Sequence, residues 1–412
     1  MDGNTLVREY LVLGLRLDRL HPGLVDSYTG DRALRRAVDD EPRPHPAALA
    51  ERAGLLRREL PGTELEPERK RFLAAHLTAL ECTARKLAGV RIGFVDEVRA
   101  YFQVDLVPGD PDEYRRAHAR LDEVLPGGGP LRERLADYRV EETVPPRLLA
   151  AAVHELSSAL RDEVRQHYAL PDHEIVEYEV VTDKPWSGFN YYLGDFRSRV
   201  AINADLGHRM SNLPHLVAHE SYPGHHTEHC RKEVGLVGKR GQLEQSLFVI
   251  NTPQCLMAEG MAELGLHAAV GPGWGRWTER IMRDLGLRME GDQAERVEEA
   301  VAGLITVRQD AALMLHDRRA SEDDVVAFLR RWLLIPEGRA RQMLRFIGDP
   351  LWRAYTTTYV EGARLVRAWL DLSPPTGTQA ERYLRLLDEP LVPEALRDDL
   401  RSAVPRLPHH PG

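Results

Sequence analysis

Lysine is nearly missing from this chain: five occur in 412 residues, against 50 arginines. The arginines are interspersed with acids, as in RMEGDQAERVEE (288 to 299), and acids outnumber bases 64 to 55 for a net charge of −9. A broad cationic face for nucleic acid is therefore not expected. Cysteine is also scarce. Cys82, Cys230 and Cys255 are too few and too far apart for a disulfide framework or a thiolate zinc site, which fits a reducing compartment. No 18 apolar residues run without a charge, so no transmembrane helix is expected. The first twenty residues carry Asp2 and Glu9 in place of a basic leader and an unbroken apolar stretch, which predicts no secretory signal. These absences point to a cytoplasmic protein with neither nucleic-acid nor membrane partners. Aromatic residues make up only 7%, but 43% apolar and 29% charged residues are the balance of a folded globular chain.

Apolar positions recur at three- and four-residue spacing over 4 to 20, 45 to 58, 66 to 88, 145 to 168, 256 to 269, 295 to 316, 321 to 334 and 352 to 371, so the fold class is mainly α. Breaks fall at VPGDPDE (107 to 113), PGGGP (126 to 130) and SPPTGT (373 to 378), where Pro and Gly stop helices. The tail at 405 to 412 is expected to fray. The spacing divides the chain into an N-terminal helical half (1 to 170) and a second half (171 to 412), read as one continuous structural unit. One window departs from the helical pattern. EIVEYEVV (174 to 181), FNYYL (189 to 193) and FRSRVAIN (196 to 203), with Gly194-Asp195 as a hairpin signal, predict a small antiparallel sheet.

Six of the 17 histidines lie within residues 208 to 229, where even spacing would put about one. The segment LVAHESYPGHHTEH (216 to 229) sets His219 beside Glu220 and returns to His225 and His226. It is related in kind to the HExxH helix, in which histidines at i and i+4 bind zinc and the Glu between them acts as base. Here the i+4 position is Pro223, which cannot ligate. On a straight helix, at about 100° per residue, His226 falls roughly 20° from His219 and His225 about 120° away. Pro223 and Gly224 argue against a straight helix, because Pro excludes Tyr222 from the α region and Gly permits a bulge. Looping out the Pro-Gly pair puts His225 in the i+4 place, the preferred reading, with His226 the alternative ligand. A solvated polar helix is the plain competitor. Downstream, Glu259 and Glu263 share one face of the apolar segment CLMAEGMAELGL (255 to 266) and need a counter-charge. Glu259 is the candidate third zinc ligand, with Gly260 allowing close helix approach, and Glu263 a candidate to hold the far nitrogen of a ligating His. Two acids paired with arginines would give the same pattern.

HESYPGHH followed by AEGMAE resembles the bacterial domain of unknown function 885 family, whose pattern is HE, two residues, PGHH, then a Glu-Gly helix. Similarity extends to FNYYLGDFRSRVAIN (189 to 203) and to GDPLWRAYTTTYVEGARL (348 to 365). The resemblance implies a large helical fold similar to gluzincin peptidases, with a His, His, Glu zinc site. Met261 stands where the family has an aromatic residue. Ala312 stands where it has an acid before a late His, here His316.

A three-ligand zinc with an open position makes water a nucleophile at neutral pH, with Glu220 as general base. Tyr359, which matches the family's Tyr-x-x-Gly, is the candidate oxyanion donor, with Tyr355 one turn away. Strand 196 to 203, ending at Asn203, is placed to hold an extended substrate, and Arg345 is a candidate for its carboxylate. The expected activity is zinc-dependent hydrolysis of short peptides. The alternatives are hydrolysis of a non-peptide amide in specialised metabolism and a non-catalytic metal-binding protein.

Overall fold

The computed structural model describes residues 1–184, 186–372 and 378–403. The expected tail at 405 to 412 lies outside them, as does the expected loop at 373 to 378 apart from Thr378. Helices dominate. Several begin with proline in their first turn, as in Pro46–Glu59, Pro67–Leu87, Pro146–His167 and Pro253–Glu263, where the missing N–H is no loss. The first helix, Gly3–Leu20, is capped by Asp2, whose carboxylate accepts from the Thr5 N–H. Three of the periodic stretches prove interrupted. The stretch 256 to 269 breaks at Leu264, between Pro253–Glu263 and Gly265–Ala269. The stretch 295 to 316 divides into Gly291–Ala302 and Thr306–His316, with Gly303 against Ala117 and Arg120, where a Cβ would come within 3.1 Å of the Ala117 methyl. Within 352 to 371, a wide five-residue turn at Thr358–Gly362 precedes the helix Ala363–Leu370.

Five strands form two sheets among the described residues: β1 (Val25–Tyr28), β2 (Ile175–Val181), β3 (Gly188–Gly194), β4 (Arg197–Asn203) and β5 (Leu247–Val249). The three strands read from the sequence are present, but the sheet is mixed rather than antiparallel. Its order is β2-β4-β3, with β2 parallel to β4 and β3 antiparallel to it. Alternation shows which residues share a face, not which neighbour a strand chooses. The hairpin turn falls one residue later than expected. Asp195 and Phe196 both have positive φ (53° and 57°), the signature of a type I′ turn, while Gly194 sits at a register irregularity. The second sheet, the β1 and β5 antiparallel pair, was not anticipated.

Side chains pack around two apolar cores, each drawing on both halves of the chain. The larger runs from Ala79 to Leu396; the other joins the first four helices to β5. Pro253–Glu263 lies on the seam: Leu256, Met257 and Met261 face the larger core, Cys255 and Ala258 the other. That helix carries Glu259.

Candidate metal centre

The HE segment is not one helix. Leu213–Glu220 ends at Ser221, the chain turns through Tyr222, Pro223 and Gly224, and a new helix runs His225–Lys232. Gly224 donates its N–H to the Ala218 carbonyl at 2.9 Å. Its α-carbon presses so close to the preceding turn that a Cβ would stand 1.9 Å from the His219 carbonyl oxygen. No other residue fits there. The break swings His225 beside His219, with their Nε2 atoms 3.2 Å apart.

Glu259 closes the triangle. Its Oε2 lies 3.3 Å from His219 Nε2, and its Oε1 lies 3.4 Å from His225 Nε2. Donors of a tetrahedral zinc at about 2.0–2.1 Å would be spaced by about 3.3 Å, which matches the separation of the two ring nitrogens and of each from its nearer carboxylate oxygen. Two further observations agree. Glu259 Oε2 is buried with no hydrogen-bond partner, an arrangement costly without a cation. Burial alone would lower the His219 imidazole, yet Glu259, Glu220 and Glu263 outweigh it and lift it to about 10. Negative charge is thus in excess around the two rings, and His219, His225 and Glu259 form a group able to hold a metal.

The surroundings position these groups. Glu263 Oε1 stands 3.6 Å from His219 Nδ1. The Tyr355 hydroxyl donates to Glu259 Oε1 at 2.6 Å, leaving Oε2 turned toward His219. The Tyr359 ring lies 6.3 Å from that of His219 and 5.6 Å from that of Tyr355. Both tyrosines arrive because Gly260 and Gly362 meet backbone to backbone, where a Cβ on Gly260 would fall 2.3 Å from the Gly362 carbonyl carbon. Glu220 is 5% exposed, and burial raises its carboxyl above the ordinary value, with His219 and His225 opposing. Asn190 on β3 donates to the Glu220 carbonyl at 2.6 Å, and Gly188 on the same strand leaves room for its carboxylate, where a Cβ would stand 3.0 Å from Oε1.

Other expected roles are corrected. His226 is fully buried and faces away from the triangle: its Nε2 donates to Glu174 at 3.0 Å, and its Nδ1 pairs with the Ser198 hydroxyl at 2.8 Å. Glu174 also accepts from Tyr222 at 2.7 Å and from Arg161 at 2.5 Å, so it anchors the helix break from behind. Asn203, expected to touch substrate, is fully buried and donates to the carbonyls of Lys184 and Trp186, pinning the connection between β2 and β3. Strand 196 to 203 is the middle strand, paired on both sides; the strand beside Glu220 is β3. Arg345 is exposed on Glu337–Gly348, and among the described residues no hydrogen bond or ion pair ties it to the cluster. Of the remaining clustered histidines, His208 bonds the Asn203 carbonyl, His215 packs on Trp274 and His229 stacks on Tyr192. His316 bonds the Ile347 carbonyl at 2.6 Å. Glu174 was missed; it belongs to no motif, and only the fold brings it to Tyr222 and His226.

Fold and site together define a mainly helical protein with a small mixed sheet and a buried His, His, Glu group able to hold a metal. No protein-family model and no curated protein matches the chain. Among solved structures it is similar to two proteins described as "putative lipoprotein". One, from Colwellia psychrerythraea, is 16% identical with a TM-score of 0.55, covering 86% of this chain and 66% of that one. The other, from Shewanella oneidensis and of unknown function, is 13% identical with a TM-score of 0.49, covering 90% and 75%. An M32 carboxypeptidase from Deinococcus radiodurans R1 is 12% identical with a TM-score of 0.38, covering 93% and 88%. The Colwellia likeness bears on the fold alone, and this chain spans about two thirds of that protein's length. No described helix is long and apolar enough to cross a membrane.

Proposed function

We propose that this chain is a zinc-dependent hydrolase of peptide bonds acting on short peptides, and that it belongs with the bacterial domain of unknown function 885 family it resembles. The observation that carries the reading is the group of His219, His225 and Glu259, whose two ring nitrogens lie 3.2 Å apart and each 3.3–3.4 Å from a Glu259 carboxylate oxygen, with the buried carboxylate of Glu220 next in sequence to His219. A purely structural site has no use for that carboxylate. Zinc held there supplies Lewis-acid polarisation of a carbonyl and acidification of water.

The protein groups do the rest. Glu220, its basicity raised by burial, takes a proton from attacking water and returns it to the leaving nitrogen. Tyr359, held protonated by burial, donates to the oxygen on which negative charge develops. Tyr355 holds Glu259 in place. β3, beside Glu220, takes the substrate-binding role once expected of β4. A cytoplasmic setting belongs to the same proposal, supported by three free, buried cysteines.

Elemental analysis of the purified chain tests the foundation, with one zinc per chain expected. Alanine at His219, His225 or Glu259 should abolish stoichiometric zinc, whereas His226→Ala should retain it while lowering thermal stability. Absence of any transition metal after zinc loading would overturn the reading, and loss of zinc from the His226 variant alone would restore the straight-helix ligand set.

A further inference from the structure

We propose that Phe189 and Trp186 are specificity-determining residues: with Tyr191 they form an aromatic shelf that receives one large apolar side chain of an extended peptide laid along the free edge of β3. The inference rests on the peptidase reading above and names the peptides it favours.

β3 pairs with β4 on one side and, among the described residues, with no strand on the other. Its register sets Gly188 against Ile202, Phe189 against Ala201 and Asn190 against Val200. One step earlier, the Asn203 N–H donates to the Ser187 carbonyl at 2.9 Å. In an antiparallel pair such bonded positions alternate with unbonded ones. Ser187, Phe189 and Tyr191 therefore turn their backbone groups to β4, while Gly188 and Asn190 turn theirs to the free edge. Gly188 is half-buried and lies beside the base, where a Cβ would stand 3.0 Å from Glu220 Oε1 and 2.9 Å from the Leu216 side chain. The chain just beyond β1 covers the other end of β3, where a Cβ on Gly194 would meet Thr29 at 3.3 Å. The edge offered to a peptide is thus its Gly188 end, next to the carboxylate that takes the proton from water.

Successive side chains of a strand point to opposite faces. Gly188 and Asn190 face the helix Leu213–Glu220, as the Asn190 bond to the Glu220 carbonyl shows. Phe189 and Tyr191 face the other way with their ring centroids 4.7 Å apart, and the Trp186 ring packs 5.6 Å from that of Phe189. All three are half-buried. The Arg199 guanidinium lies 4.9 Å from the Tyr191 ring centroid and pairs with Glu179 at 3.5 Å, which gives the shelf a charged rim on the Tyr191 side.

A peptide added to this edge alternates in step with β3. The residue bonded to Gly188 sends its side chain toward Glu220, and its neighbours send theirs to the face of Phe189 and Trp186, which offer ring surface and no charge. A large apolar side chain gains by covering those rings, whereas a charged one loses hydration without finding a partner on them. The favoured substrate is a short peptide with an aromatic residue next to the one bonded at Gly188.

The test gives the zinc-loaded full chain tetraalanine and the four peptides that carry one Phe in place of one Ala. One Phe peptide should exceed tetraalanine in kcat/KM by about 10-fold or more. Phe189→Ala and Trp186→Ala, tested separately, should each bring that ratio within about 3-fold with zinc content unchanged, and Phe189→Leu should retain part of the preference. Calorimetry of the same peptides on the Glu220→Gln variant should rank them in the same order. Five equal substrates, or a preference that survives both alanine variants, overturns the shelf and leaves the peptidase reading standing. No turnover by the wild-type chain, with a calorimetric preference for a Phe peptide that is lost when Phe189→Ala is added, would sink the peptidase reading and keep the shelf. Neither turnover nor binding would sink both.

Discussion

Under the proposed function the two acids at the centre have opposite tasks, and each makes its own prediction. Glu220 is buried but holds no metal, so Glu220→Gln should keep zinc and fold while kcat falls by about 100-fold or more; single-turnover assays paired with metal analysis would show it. Glu259 is oriented through the 2.6 Å bond from Tyr355. Tyr355→Phe should therefore weaken zinc affinity by about 10- to 100-fold, read by chelator competition. Tyr359→Phe should leave zinc affinity unchanged and lower kcat more than it raises KM, because a bond to a developing oxyanion strengthens only as charge builds. A drop in zinc affinity with Tyr359→Phe and none with Tyr355→Phe would exchange the two roles.

The helix break shows what the sequence could and could not disclose. Pro223 and Gly224 are local signals, and they were enough to predict that the helix is not straight and that His225 swings toward His219. What holds the break is not local. Tyr222 and His226 both bond Glu174, 48 and 52 residues away in sequence, and no periodicity announces such a partner. Strand positions were legible for the same local reason, whereas the parallel pairing of β2 with β4 depends on how the connection is pinned by Asn203. Gly224 is where local and distant causes meet. Gly224→Ala would force a Cβ against the His219 carbonyl, so it should cost at least about 2 kcal/mol and release zinc. Denaturant titration and metal analysis of the same preparation would show both losses.

Across the molecule, acid sensitivity should begin with buried histidines outside the metal-binding group. Burial drives His76 to about 3 and His215 to about 4, both from 6.5. The fold keeps these rings neutral while the unfolded chain protonates them, so stability should fall as pH drops from 6.5 toward 4. Glu174 adds a later loss. Burial opposes its ionisation, but His226, Tyr222 and Arg161 hold it at about 2, so its contribution disappears as pH falls from 4.5 toward 2. The Tyr10 hydroxyl bonds His76 Nδ1 at 2.9 Å, so melting temperature against pH, compared with a Tyr10→Phe, His76→Leu double variant, should show a flatter decline between pH 6.5 and 4 in the variant. An identical slope would remove His76 from the account. The helix Pro253–Glu263 has a further consequence. Because its residues belong to both apolar cores, an ion gripped by Glu259 acts as a clasp on two bodies of packing at once. Free zinc a thousandfold above its dissociation constant would add about 4 kcal/mol to the folded state, shared by both cores rather than lodged in one. A chelator would then loosen the whole chain through a single atom, and the colour of a cobalt substitute would serve as a gauge of its integrity.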